Sequence, residues 1–332
     1  MPITTVEKDL DALTMTIVAE FPVPVRRLWD AYADPRQLEK IWGPVEWPAT
    51  FMRHDMFEGG ESHYYMTGPD GDRAAGYWRF TAVDPGSSFE VLDGFAKDDG
   101  TPNDDMPAMR MRFQFEATAE GSRLTTTTTF GSLEQLEQLI GMGMEEGTRS
   151  AMSKIDDVVA DLRSFAAGRG VDSRMLSDTQ VRISRVIRGS VDDVWRAHHE
   201  PELLRRWQLG PDGWTMPVCE VASKVGDTYR TEWEPEPGGP ADTGEHGRFG
   251  FTGDLLELNA PHREVTTERM IGMEGSETRN ELTLTEVDGG TLLALVITYP
   301  DRETRDTVLA TGMTDGMEAS YARLEQDVLV GV

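Results

Sequence analysis

Metal binding and nucleophilic catalysis need particular side chains at particular spacings, and this chain lacks those spacings. Its histidines are His54, His63, His198, His199, His246 and His262. None stands in an HExxH pair or beside a cysteine, so neither a metal nor an organic cofactor is expected. Adjacent His198 and His199 fall at the end of a predicted helix, where a cation relieves the helix-end charge, and read as solvated. Cys219 is the only cysteine. Near Val218 and Val221 it reads as a small core residue, and no internal disulfide can form. Gly-x-Ser-x-Gly elbows and phosphate-binding glycine loops are absent. General acid–base work would fall to Asp93, His63 or His246, each without an evident partner in the sequence.

What remains is bulky apolar surface. Trp42, Trp47, Tyr64, Trp78, Phe80, Met109, Met111, Phe113, Met142 and Met152 supply large, adaptable walls in the first half, and 11 of the 17 methionines lie before residue 153. Thioethers fit irregular ligand surfaces better than branched side chains do. Trp207, Trp214, Thr278, Asn280, Met313 and Met317 are the matching candidates in the second half. Aligning Phe113 with Leu282 and Phe115 with Leu284, an offset of 169, sets Met109 and Met111 against Thr278 and Asn280. The first chamber is therefore expected to take the bulkier, more apolar ligand and the second to orient a hydroxyl or carbonyl. Arg279 and Glu281 would point to the opposite, wet face.

These walls need elements to hold them, and the elements come twice. Val25, Leu28, Trp29, Ala31, Pro35 and Leu38 recur as Val191, Val194, Trp195, Ala197, Pro201 and Leu204, each 166 positions later. Gly143-Met144 and Gly147 recur as Gly312-Met313 and Gly316, 169 positions later. A period this long exceeds a solenoid unit and fits two whole domains. They are placed at residues 13–166 and 179–330, joined by a linker at 167–178. Each half opens on a strand (Met15–Phe21, Gln180–Arg188), followed by two short helices. Six further strands come next, among them Met109–Glu116 with strict apolar–polar alternation. A long C-terminal helix closes each half. Its stripes run through Met144, Thr148, Met152, Ile155, Val159, Leu162 and Ala166, and through Met313, Met317, Tyr321, Leu324 and Val328. Ser132 with Gln135 reads as a capping box. Gly147 and Gly316 interrupt the stripes, either for tight packing on the sheet or as clearance for a ligand.

This order resembles the helix-grip fold of the START/SRPBCC superfamily, and within it the family named after the activator of Hsp90 ATPase (AHSA1). The resemblance rests on Val25-x-x-Leu28-Trp29-x-Ala31, Asp34-Pro35, Trp42-Gly43-Pro44, Gly59-Gly60 and Gly143-Met144-x-x-Gly147. The second half answers with Val191-x-x-Val194-Trp195-x-Ala197, Glu200-Pro201, Trp207, Gly210-Pro211, Val225-Gly226-Asp227 and Gly312-Met313-x-x-Gly316. It implies an α+β fold: two tandem Bet v 1-like domains, each a curved antiparallel sheet around a C-terminal helix with a cavity between them. Trp29 and Trp195 are expected to be buried under the first short helix.

Composition narrows the function. With 32 basic against 59 acidic residues the formal charge is −27, which repels nucleic acid and anionic membranes. The longest apolar run, Leu292–Ile297, is too short to span a bilayer, and the N-terminal residues do not read as a secretory signal. A cytoplasmic protein that binds or sequesters a small, largely apolar molecule is the leading expectation. The superfamily resemblance adds two alternatives, a polyketide cyclase/aromatase-like enzyme and a co-chaperone of an Hsp90-type ATPase. The eukaryotic activator's Asn- and Trp-rich N-terminal motif has no counterpart in this sequence.

Overall fold

The computed structural model describes residues 3–97, 100–103, 105–155, 157–158, 170–210, 212–239, 241–242, 247–273, 275 and 277–329. The chain divides into two compact units, Met1–Ala167 and Gly168–Val332. In the first, the strands are β1 (Ile3–Asp9), β2 (Thr14–Phe21), β3 (Ala49–His54), β4 (Glu61–Thr67), β5 (Arg73–Asp84), β6 (Ser88–Ala96), β7 (Met109–Thr118) and β8 (Gly121–Thr129). They form one antiparallel sheet in the order β1-β2-β8-β7-β6-β5-β4-β3. The second unit has β9 (Asp172–Met175), β10 (Gln180–Ile187), β11 (Trp214–Glu220), β12 (Thr228–Pro235), β13 (Phe249–Asn259), β14 (Arg263–Met270), β15 (Thr278–Val287) and β16 (Gly290–Thr298). Its order, β9-β10-β16-β15-β14-β13-β12-β11, is the same topology. The repeat in the sequence is thus a repeat of architecture.

Two strands lie outside the expected domains. β1 precedes residue 13 and pairs with β2 from Ile3↔Ala19 to Asp9↔Thr14. β9 lies inside the segment read as linker and pairs with β10 from Val181↔Met175 to Ser184↔Asp172. Both are short edge strands rich in polar residues, so they carry little of the alternation by which a half-buried strand is recognised. In β7, by contrast, Met109, Met111, Phe113 and Phe115 are buried and Arg110, Arg112 and Glu116 exposed, as the alternation requires.

Helices α1 (Val25–Ala33) and α2 (Pro35–Ile41) follow β2, and α5 (Val191–His199) and α6 (Pro201–Trp207) follow β10. Proline opens α2 and α6, where the missing N–H would have no helical partner. Asp34 caps α2 by accepting from the Arg36 backbone N–H at 2.9 Å and also holds the Arg36 guanidinium. Trp29 is buried, with its ring edge on Phe115 at 5.3 Å. Trp195 departs from its partner. It is half-buried and stacks on His199 at 3.9 Å, an i,i+4 pair along α5.

The long C-terminal helix is divided. In the first unit α3 (Leu133–Gly141) gives way to α4 (Met144–Ser153), and in the second α7 (Arg302–Leu309) gives way to α8 (Met313–Arg323), continued by a π-helical turn, Leu324–Val328. The breaks sit at Gly143 (φ +87°) and Gly312 (φ +79°), left-handed conformations that glycine adopts freely. Ser132 and Asp301 cap the leading segments through the backbone N–H of Gln135 and Thr304. The Gln135 side chain reaches back to the N–H of Gly131, one residue short of a reciprocal box. Met152 and Ile155 are buried as their stripe requires, whereas Val159, Leu162 and Ala166 lie outside the described residues. Replacing Gly312 by Ala should cost about 1–2 kcal/mol in urea denaturation. An unchanged midpoint would mean that the helix runs unbroken through this point.

Candidate functional site

Strand register allows the interiors of the two units to be compared position by position. Phe80 N–H donates to Gly60, and Leu255 N–H donates to the equivalent Asp227. Two residues before each stand Trp78, paired with Ser62, and Gly253, paired with Tyr229. By the same reasoning Phe51 (opposite Tyr64) matches Cys219 (opposite Thr231), and the Phe89–Phe113 pair matches Glu264–Leu282. Where the first unit has Trp78, Phe51, Tyr64 and Phe89, the second has Gly253, Cys219, Thr231 and Glu264.

The first set packs into a solid aromatic core. Trp78 is fully buried, with Trp42 edge-on at 4.6 Å, Phe51 at 5.9 Å and Phe80 at 6.1 Å. Phe89 stacks on Phe113 at 4.4 Å. Tyr64, Met109, Met111 and Met152 are buried with them, and Trp42 and Trp47 are half-buried. Met142 is corrected outright. It lies at the break between α3 and α4, 59% exposed, and does not share the burial of the other large side chains. In this half, where the bulkier ligand is expected, the described rings occupy much of the interior.

Within this core lies a carboxylate. Asp93 accepts from Trp78 Nε1 at 2.8 Å and from the Tyr64 hydroxyl at 3.3 Å. Burial pushes its pKa up to about 6, against the hydrogen bonds from Trp78 and Tyr64 that favour the charged form. His63 lies apart from it, beside Glu61 at 3.4 Å, and His246 is outside the described residues. Asp93 and His63 are therefore not assembled into one site.

In the second unit the substitutions leave a cavity of about 960 Å³. Trp207, Trp214, Asn280, Met313 and Met317 line it; Thr278 is not among the lining residues, and its hydroxyl donates to Asn280 Oδ1 at 3.0 Å. Gly316 also lines the cavity, and a Cβ built there meets no atom within 4 Å. The glycine therefore gives clearance rather than tight packing. Gly147 in the first unit has Pro44 at 3.7 Å from such a Cβ, ordinary contact. One side of the cavity is aromatic: Trp233 stacks on Phe249 at 5.4 Å, and Trp214 meets Phe249 edge-on at 5.2 Å.

The other side is polar, and beyond Asn280 its residues are not ones the sequence singles out as ligand walls. Period-two alternation along β14 brings Glu264, Thr266 and Glu268 to the cavity, and Asn280 pairs with Thr266. Tyr229 donates to Glu268 at 3.0 Å, and Asn280 also hydrogen-bonds it. Burial raises the Glu268 pKa despite these donors. His199 joins Glu264 at 3.0 Å. Burial works against its charge, but the Glu264 hydrogen bond and charge prevail, and its pKa is raised. His198 Nδ1 lies 2.7 Å from the Val194 carbonyl, so this nitrogen carries the proton. Burial lowers the His198 pKa to about 4 and leaves the ring neutral. Both histidines are thus corrected from solvated helix-end cations to half-buried wall residues. Reading the strand Arg263–Met270 for which residues share a face would have found the two carboxylates.

An eight-stranded antiparallel sheet with two short helices and a divided C-terminal helix, found twice, makes this a tandem helix-grip protein. The sequence profile of the family described as Activator of Hsp90 ATPase homolog 1-like protein matches residues 22–160 and again 188–328, and the chain belongs to that family. Among solved structures, it is similar to protein Ms6760 from Mycobacterium smegmatis, at 51% identity over 47% of this chain and 96% of that one, with a TM-score of 0.45. A protein from Arthrobacter aurescens shows 44% identity over 47% and 91%, TM-score 0.46. One from Rhodobacter sphaeroides shows 30% over 48% and 97%, TM-score 0.43. No curated protein matches the chain. Among the described residues, no helix is long and apolar enough to cross a membrane, and no group of side chains is arranged to hold a metal ion.

The raised Asp93 pKa has a thermodynamic signature. A carboxyl that ionises near pH 4 unfolded but near 6 folded holds its proton more tightly in the native state. Stability should therefore fall as pH rises from about 4 to 6, by about 3 kcal/mol for a shift of this size. Asp93→Asn keeps an acceptor for Trp78 and should remove that slope. Parallel pH profiles for the two proteins in urea denaturation would show that Asp93 ionises normally.

Proposed function

We propose that the protein binds a small, largely apolar molecule in the cavity of its second unit, while the first unit serves as a filled scaffold of the same fold. The observation that carries this reading is the exchange of Trp78, Phe51, Tyr64 and Phe89 for Gly253, Cys219, Thr231 and Glu264. At these positions one backbone plan has lost its ring-filled interior, and the volume is lined by Trp207, Trp214, Trp233, Phe249 and Phe251. A space of about 960 Å³ lies within the range of pockets that enclose small ligands. This reading places binding in one half, where the sequence alone suggests both. The cyclase-like reading has less support, since Asp93 and His63 lie apart, and the chaperone reading rests on the family's name alone.

Gly316 offers the test. It faces open cavity from within α8, so Gly316→Leu fills the site and improves helix propensity by close to 1 kcal/mol. Titrating the full chain with Nile red, a neutral apolar fluorophore, should give saturable binding. The variant should lose at least about tenfold in affinity, equivalent to about 1.4 kcal/mol, with its urea midpoint unchanged or raised. Equal binding by both proteins would place the dye elsewhere and sink the proposal.

A further inference from the structure

Two carboxylates on the polar wall are held in different ways. Glu264 joins His199 at 3.0 Å, so a cation meets its charge. Glu268, on the same face of β14, is held by neutral donors, the Tyr229 hydroxyl at 3.0 Å and the Asn280 amide. The Thr278 hydroxyl orients that amide by donating to Asn280 Oδ1 at 3.0 Å, which leaves the N–H groups for Glu268. Donors from β12 and β15 therefore aim the carboxylate. A carboxylate has about four acceptor sites, so these bonds leave capacity free. Glu268 is half-buried and lines the cavity, yet burial still raises its pKa. The surface it keeps thus opens on the cavity and not on bulk water. A carboxylate placed in such a space without a counter-charge is costly as structure and effective as a base.

We propose that the second unit has a further activity, in which the Glu268 carboxylate takes a proton from carbon in a small apolar substrate seated against the aromatic side of the cavity. The proposal rests on the cavity reading above. The substrate class is a carbon acid, a molecule whose C–H bond lies beside an electron-withdrawing group, because a carboxylate is too weak a base for an unactivated C–H bond. Tyr229 and Asn280 are positioning residues, and both favour the ionised form that must act. The other polar group near Glu268 is the Tyr299 hydroxyl, beyond β16, which is buried without a hydrogen-bond partner and senses the Glu268 charge. Phe251 and Gly253 of β13 and Met313 and Met317 of α8 bring no charge to it.

The probe is 5-nitrobenzisoxazole, a small planar carbon acid. Glu268 takes the ring C–H proton, that electron pair becomes the third C–N bond of a nitrile, and the N–O bond breaks to release a coloured cyanonitrophenolate. The proton then passes to water and the carboxylate is restored, with no co-reactant. For the full chain, kcat/KM should exceed the second-order rate constant of acetate by about 100-fold or more. It should rise with pH and level off, with a midpoint above the ordinary carboxylate range. Glu268→Gln should lose about 100-fold. Tyr229→Phe removes a donor that favours the charged form and should move the midpoint further up, which a merely structural tyrosine would not do. The pH profile is measured on the unmodified protein, so it does not depend on a variant folding. Turnover by Glu268→Gln at the parent rate, or a rate without that midpoint, overturns the proposal. No acceleration while Nile red binds also overturns it and leaves the cavity reading standing. If Nile red fails as well, both fall.

Discussion

Everything distinctive in this protein follows from one packing constraint. An antiparallel sheet closed over by a helix encloses more volume than the backbone fills, and side chains of the inward positions must occupy it. Interiors pack about as densely as organic crystals, so the sum of those side-chain volumes decides whether the space is core or cavity. The first unit meets the constraint with rings in edge-to-face and stacked contacts. The second, on the same strand order, puts glycine, cysteine, threonine and glutamate at four of the decisive positions. Residues at the same points in β6 and β14 show the result. Phe89, Val91 and Asp93 are buried, while Glu264, Thr266 and Glu268 are half-buried because their faces look into open space.

Removing rings exposes polar demands that a filled core does not have. The carboxylate at Asp93 is satisfied by a tryptophan and a tyrosine, inside the packing. Its counterpart Glu268 stands in the same register position, opposite Thr278 as Asp93 is opposite Met109, and draws its donors from Tyr229 and Asn280. An acid held by aromatic or amide donors is therefore a feature of both units, and what differs is whether anything further can reach it. The His199–Glu264 pair has no equivalent, since the first unit holds Ala33 and Phe89 at those points.

Much of this was legible before any coordinates. The long-period repeat predicts two copies of one fold. The alternation in Met109–Glu116 predicts which face is buried. The identity of the open chamber was hidden, for a specific reason. Near the ends of the halves the offset between matching residues is 166 to 169, but Trp78 matches Gly253 at 175. The loop between β12 and β13 is longer than that between β4 and β5, so a fixed offset pairs Trp78 with the wrong residue and the exchange goes unseen. The histidines were misread for another reason. Their helix-end position was right, but nothing local says that the same helix end borders a void. Polar edge strands such as β1 and β9 leave almost no periodic trace.

The hollow second unit carries a consequence for the lifetime of the chain. An unfilled interior forfeits dispersion contacts that the neighbouring unit keeps, so the two halves do not share one reserve of stability. Anything that occupies the void returns part of the deficit by mass action, in proportion to the logarithm of its free concentration over its dissociation constant. Opening of that half, and with it access for proteases, then follows how much of the occupant is present. If the proposed ligand is that occupant, the abundance of the protein becomes a record of its supply.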